Sequence, residues 1–381
     1  MNKASRLYSL DALRGLVMII MALDHVRDFV SSSAILFPPE NLARTTPILF
    51  FTRWITHFCA PVFMFASGTG AFLYAQRNPG VSRFLWTRGL WLIVLELTVM
   101  RVAFFFSFSL AYPVMLVVLW ALGASMIALA VLSKLPLRVL AVVSVLTIVL
   151  HNLLDGVQGG PLWTVLHRQG AIPIGGTLII VAYPLVPWIA VMAAGYCFGG
   201  IFLLTPEQRR RILVRTGAAM TIGFVVLRAI NIYGDPSRWS PKVYPVLSFL
   251  NCTKYPPSLD YLLMTLGPAM LCLAWFDGLA WKKENPLIVF GRVPLFYFVV
   301  HFYAAHAIAS VMAGIRYGKL SLMFGPLPNM GGPRAQFPSG FGYDLWVVYV
   351  IWALLVIAMY PLCRWYTGVK ARRQDWWLSY L

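Results

Sequence analysis

The feature that most constrains this chain is a recurrence. Runs of about twenty apolar residues, long enough to cross the hydrocarbon core of a bilayer, return from one end of the sequence to the other. Ten are expected, at roughly 10–31, 51–75, 84–106, 112–133, 137–153, 178–204, 212–231, 258–277, 286–310 and 343–364. Charged residues make up 12% of the chain and mean hydropathy is +0.74, whereas soluble domains carry about 25% charged residues. The expectation is an all-α polytopic membrane helix bundle of about ten spans. Residues 1–381 form a single integral-membrane domain, because no polar region is long enough for a separate soluble unit.

The formal charge of +18 is distributed as topology. The amino terminus, every second connection and the carboxyl tail hold Lys3, Arg6, Arg77, Arg83, Arg88, Lys134, Arg138, Arg209, Arg210, Arg211, Arg215, Lys282, Lys283, Arg292, Arg364, Lys370, Arg372 and Arg373, which is 18. The other connections hold 10, although they are longer. By the positive-inside rule both termini are expected in the cytoplasm, with the basic residues facing anionic lipid head groups rather than nucleic acid. The first run is too long for a signal-peptide core and lacks a small-residue cleavage site, so it is expected to stay as a span. The five cysteines have neither metal-binding nor redox spacing, and no metal is expected. The Gly- and Pro-rich loops 154–177 and 311–342, with loop 232–257, are expected to cover the mouth of a site on the outer side.

The first span is unusually rich in ionisable groups: Asp11 and Arg14 at one end, Asp24, His25, Arg27 and Asp28 at the other. Arg14 and His25 are eleven residues apart, hence on one helical face and about 16 Å apart, with Met18 and Met21 between them. Arg53 and His57 stand at i and i+4 near the outer end of the second span, and Ser67, Gly68 and Gly70 near its inner end let another group approach the backbone. In the ninth span Tyr297 precedes His301 by one turn. Read as one continuous helix, that span puts Arg292 and His301 on nearly opposite sides. His306 lies near the interface and reads as a packing residue.

Ionisable groups inside a membrane are costly and mark pathways or sites. A histidine beside a carboxylate suits general base catalysis, so His25 with Asp24 or Asp28 is the first candidate, and His57 and His301 are the second. A cytoplasmic acyl-CoA fits the inner end, its phosphates at Arg14 and Arg292 and its acyl arm along the stripe. Asp11, Ser67 and Gly68 complete the candidate donor-binding residues. Arg53, Lys254 and Tyr297 are candidate contacts for an acceptor.

The segments "SLDALRG" and "DHVRDF", followed by "FFTRWITHFCAPVFMFASGTGAFL", "TKYPPSLDYLLMTLGP" and "NPLIVFGRVPLFYFVVHFYAAH", resemble the transmembrane acyltransferase superfamily, in particular the bacterial relatives of heparan-α-glucosaminide N-acetyltransferase. The resemblance implies about ten spans, acetyl-CoA (acyl-CoA) as donor co-substrate, transfer across a bacterial inner membrane to an outer-face glycan or amino-sugar acceptor, and Arg14 and His25 as motif residues. The lysosomal branch has its proposed catalytic histidine in the loop after the first span, whereas residues 32–50 here contain none. A homo-oligomer is compatible with the sequence. Two rival classes use the same residue types. A proton-coupled small-molecule transporter would use intramembrane His, Asp and Arg but favours an internal repeat, and none is evident. A haem protein would ligate iron from histidines on facing helices.

Overall fold

The computed structural model describes residues 7–373, Asp375 and Leu378. Lys3 and Arg6 lie outside the described residues. The chain is mostly helical, and each of the ten apolar runs contains a helix. We label these α1 (Tyr8–Val30), α2 (Cys59–Ala75), α3 (Val81–Leu95), α4 (Val118–Leu132), α5 (Leu137–Leu150), α6 (Leu185–Phe198), α7 (Pro206–Ile230), α8 (Leu259–Asp277), α9 (Pro294–Tyr317) and α10 (Leu345–Arg372). A short helix Pro47–Trp54 and a tight turn Ile55–Phe58 lead into α2, and a short helix Pro286–Arg292 leads into α9. Seven of the helical segments are long and apolar enough to cross a membrane, so the chain is an integral membrane protein. Among the other three, α1 carries the five charges of the first span and α4 has only 15 residues.

A small sheet departs from the purely helical expectation. Strands β1 (Val114–Leu116), β2 (Gly170–Ile174) and β3 (Thr177–Val181) pair in the order β1-β3-β2. β1 runs parallel to β3, with Val114 opposite Ile179. β2 runs antiparallel to β3, with Gly170 opposite Val181. The β2–β3 connection is the two-residue Gly175-Gly176, both at positive φ, the conformation that tight hairpins require and that glycine adopts without penalty. The apolar starts expected at 112 and 178 are therefore strands, and the helices begin later, at Val118 and Leu185. Val, Ile and Leu satisfy a strand as well as a span, and only pairing separates the two.

α1 is the central strut. It packs against α2, α8, α9, α10 and the Pro286–Arg292 helix. The approach to that last helix is backbone to backbone: a Cβ on Gly15 would lie 1.9 Å from the Leu287 carbonyl oxygen, and one on Gly291 would lie 1.8 Å from that of Asp11. Small residues permit such contact, which drives helix association where the surrounding lipid is as apolar as the side chains. Gly68 and Gly195 do the same for α2 and α6. Gly68 therefore faces α6, and this is why it cannot also border a ligand.

The ninth run is not one helix. Pro294 lacks an amide hydrogen and its ring clashes with a helical residue before it. Val293 accordingly leaves the helical region at φ −133° and ψ 50°, and α9 restarts at Pro294. The break re-aims everything after it.

Loop 231–258 is gathered on Arg228, which is buried and donates to the carbonyls of Ser237, Ser248, Phe249 and Asn251. Asp235 and Asp260 balance its charge at 3.8 and 3.7 Å. This holds Lys254 at the end of the bundle where His25 lies.

Two glycine changes test the close approach. Gly15→Ala forces α1 and the Pro286–Arg292 helix apart and is expected to destabilise the protein by ~1–3 kcal/mol, the usual range for overpacking. In Gly223→Ala the nearest added contact is Leu263 at 3.8 Å, so helix propensity is expected to leave stability unchanged or raise it by up to ~1 kcal/mol. Thermal melts in detergent give the comparison, and equal melts for the two variants would refute the packing argument.

Candidate functional site

Two cavities along α1 hold most of the candidate site residues. The first, about 340 Å³, is bordered by Asp11, Arg14, Ser67, Gly70, Arg88, Arg292 and Lys370. Four cations and one carboxylate thus meet at one end of the bundle, over apolar walls from α3, α4 and α9. Arg14 donates through Nη2 to the Ala66 carbonyl at 2.6 Å. Its Nη1 lies 3.9 Å from Asp11 Oδ1. A Cβ on Gly70 would come within 3.0 Å of Arg14 Nη2, so glycine leaves room for the guanidinium. The Pro294 break puts Arg292 on this cavity.

The second cavity, about 160 Å³, is bordered by Asp24, His25, Asp28, Arg53, Glu96, Lys254 and Tyr255 among others. Met21, Phe63, Val118 and Phe298 border both cavities. The two are neighbours with these apolar side chains between them; Arg14 and Met18 border the first, His25 the second, and Met21 both. The stripe read from helical periodicity thus runs along both cavities.

His25 is held by His301, not by a carboxylate. His25 Nδ1 and His301 Nε2 are 2.8 Å apart, with nearly parallel rings. His301 Nδ1 is 2.7 Å from the Tyr297 carbonyl oxygen. A carbonyl only accepts, so His301 carries its proton on Nδ1. Neutral His301 Nε2 is then an acceptor, and His25 donates to it from Nδ1. The lone pair of His25 is left on Nε2, on the ring that borders the cavity. The Tyr297 side chain is fully buried against Phe290 and His301 and does not reach either cavity. Its contribution is the carbonyl. The direct contact of His25 and His301 leaves no space for a haem between them.

The nearby carboxylates are engaged elsewhere. Asp24 takes both oxygens to Arg53 Nη1 at 2.9 and 2.7 Å, and also accepts from Thr56 at 3.0 Å and pairs with Arg27 at 2.7 Å. Arg27 reaches Asp28 at 2.6 Å, and Arg53 Nε reaches Glu40 at 2.7 Å. Asp28, Arg27, Asp24, Arg53 and Glu40 thus form one chain of alternating charge. Burial raises the Glu40 carboxyl, but Arg53 and His57 outweigh it and hold it well below the usual carboxylate range. His57 lies 3.7 Å from Glu40 and borders neither cavity. Its carbonyl accepts from Tyr261 at 2.7 Å. His306 is fully buried between the carbonyls of Ala103 and Met323, stacked on Phe29 and Phe106, in keeping with a packing role.

Lys254 brings a cation to the second cavity. It is 9% exposed, has no carboxylate within 4 Å among the described residues, and stands 5.2 Å from the Tyr255 ring. Glu96, opposite, accepts the amides of Leu119 and Trp120 at the start of α4, at 2.7 and 3.0 Å. Sequence reading missed Glu96, Glu40 and Arg27 as site residues. The signal for Glu96 was present: an acid in the middle of an apolar run, which needs a partner there.

The family described as heparan-alpha-glucosaminide N-acetyltransferase, catalytic, matches residues 6–233. The match covers α1 to α7, with Arg14, His25 and Arg53, and stops before Lys254, Arg292 and His301. No curated protein matches the chain significantly. With 228 of 381 residues in the match, the chain belongs to the heparan-alpha-glucosaminide N-acetyltransferase catalytic family, a family of membrane acetyltransferases.

Proposed function

We propose that this protein is a transmembrane acyltransferase that moves an acetyl (acyl) group from cytoplasmic acyl-CoA to a hydroxyl or amine of a glycan or other acceptor at the opposite face. The observation that carries the reading is the pair of cavities with shared walls, one cationic and one holding His25 with an unengaged ring nitrogen. All ten apolar segments cross the membrane in this reading, both termini are cytoplasmic, and the membrane is a bacterial inner membrane.

Arg14 and Arg292, helped by Arg88 and Lys370, face the phosphates of the donor. Asp11 and Ser67 border the same space. A cavity of about 340 Å³ lies at the lower end of the usual range for small-molecule sites, ~300–1,000 Å³. The apolar throat at Met21 and Phe298 admits a thin acyl-bearing arm and excludes bulk water. The thioester supplies the acyl group.

His25 Nε2 takes the proton of the acceptor hydroxyl or amine. The new acyl–oxygen or acyl–nitrogen bond forms as the carbon–sulfur bond breaks, and the imidazolium returns its proton to the departing sulfur. His301 and the Tyr297 carbonyl hold the ring of His25 in one tautomer and orientation, the task a carboxylate performs in a catalytic triad. Asp24 serves by orienting Arg53, and Asp28 by pairing with Arg27. Lys254 and Arg53 face an anionic or hydroxyl-rich acceptor. His57 supports Glu40 and thereby Arg53.

The first test is binding of labelled acetyl-CoA to purified protein, together with release of CoA. His25→Ala is expected to bind the donor as the wild type does and to turn it over ~10²–10⁴-fold more slowly, the span of general base catalysis. Well-folded wild type that binds no donor would sink the proposal. His301→Gln, which removes the fixed partner of the ring, is expected to lower kcat by ~10²-fold with little change in donor Kd, as small misplacements of a reacting group do. Replacing Arg14 or Arg292 with Ala is expected to weaken donor binding by ~10–100-fold, as losing a charged hydrogen bond does, with the saturated rate largely kept. Met21→Trp fills the throat. Donor binding is expected to persist while transfer stops, and normal transfer by this variant would show that the arm takes another route.

A further inference from the structure

We propose that His151, Asp155 and His167 form a binding site for one divalent transition-metal ion, zinc by preference, separate from both cavities. The expectation of no metal came from cysteine spacing alone. The structure instead gathers two histidines and a carboxylate from either side of a loop. His151 follows α5 in the turn His151–Leu154, Asp155 comes next, and His167 follows the short helix Pro161–Leu166. One ligand atom from each lies within 4.8 Å of the others. His151 Nδ1 and His167 Nε2 share a hydrogen bond at 3.2 Å, which a bound ion would replace, and His167 Nε2 is 3.9 Å from Asp155 Oδ1. Two nitrogens at ~2.0–2.1 Å from a tetrahedral zinc stand about 3.3 Å from each other, so the imidazole pair already has the required spacing.

Two further observations point to a ligand. Both histidines are 2% exposed, and Asp155 Oδ1 beside them is buried and makes no hydrogen bond. Buried polar atoms are nearly always satisfied, and an ion at this spot takes up the carboxylate oxygen. The surroundings are also those of a metal site. Asn152 donates to Asp155 Oδ2 at 2.8 Å and so turns Oδ1 toward the histidines. Its own oxygen accepts from the Leu259 amide at the start of α8. Trp163 stacks on the His167 ring, with centroids 5.1 Å apart. No Lys or Arg pairs with Asp155 among the described residues, and Arg168 is directed to Gln158. Such outer contacts orient ligands and tune affinity. A two-nitrogen, one-oxygen set without thiolate suits zinc, and three protein ligands leave a fourth position for water.

The consequence is a clip. The ion ties the loop 155–167, which leads into the β2–β3 hairpin, to the end of α5. Through Asn152 it also ties that loop to the segment that follows Lys254. The inference does not depend on the acetyltransferase reading.

The test uses the full chain with a tag that contains no histidine, stripped with chelator and dialysed against zinc chloride or cobalt chloride. Wild type is expected to retain about one equivalent of zinc by elemental analysis, to show the visible bands of tetrahedral cobalt, and to melt at a higher temperature with metal than without. His167→Gln and Asp155→Asn are each expected to bind at least about tenfold more weakly and to lose the cobalt bands. Asp155 is the most exposed of the three, so its variant keeps the test valid where His167→Gln fails to fold. Metal-free melts of the variants check that the fold survives. No retained zinc in the wild type, or retention that survives Asp155→Asn at unchanged affinity, would overturn the site.

Discussion

Both cavities depend on the backbone contact between α1 and the Pro286–Arg292 helix. Gly15 and Gly291 allow the two to touch without side chains between them. That contact sets the depth of Arg14 against Arg292 and, after the Pro294 break, of His25 against His301. A hydrogen bond of 2.8 Å between two rings on different helices tolerates little sliding, because such bonds weaken steeply with misalignment. The register of one pair of helices therefore decides whether the histidine pair exists.

The charges around His25 obey a second constraint. A lone ion in a membrane interior is expensive, and a pair is acceptable only when its geometry is good and its remaining valences are met. Asp28, Arg27, Asp24, Arg53 and Glu40 solve this by alternating in sign, and Lys254 brings the set to three cations and three carboxylates. Because Asp24 is consumed by Arg53, Arg27 and Thr56, it cannot also hold His25. A backbone carbonyl and a second histidine take that position, and this leaves a neutral relay beside a balanced ionic cluster.

Much of this was legible beforehand. The apolar runs, the Arg14-to-His25 stripe and the family resemblance follow from composition, helical periodicity and short motifs, all properties of contiguous sequence. The less legible parts involve partners distant in the chain. Arg292 comes onto the first cavity from a short helix of its own, because the ninth run breaks at Pro294. A small residue such as Gly68 admits either a ligand or another helix, and packing decides for the helix, with the Met192 backbone in that space. The strands at 114–116 and 177–181 were hidden in apolar runs, since the same residues suit a span and a buried strand.

The sequence by itself determined that this is a membrane bundle, which helix carries the ionisable stripe, and that Arg14 and His25 share a face. These follow from hydrophobicity and the 3.6-residue period, which act along the chain. Only the tertiary structure decided that His301 rather than a carboxylate holds His25, that two cavities share apolar walls, and that His151, Asp155 and His167 meet. Each of these depends on contacts between segments brought together by helix packing, and sequence spacing carries no information about which distant side chains will face one another.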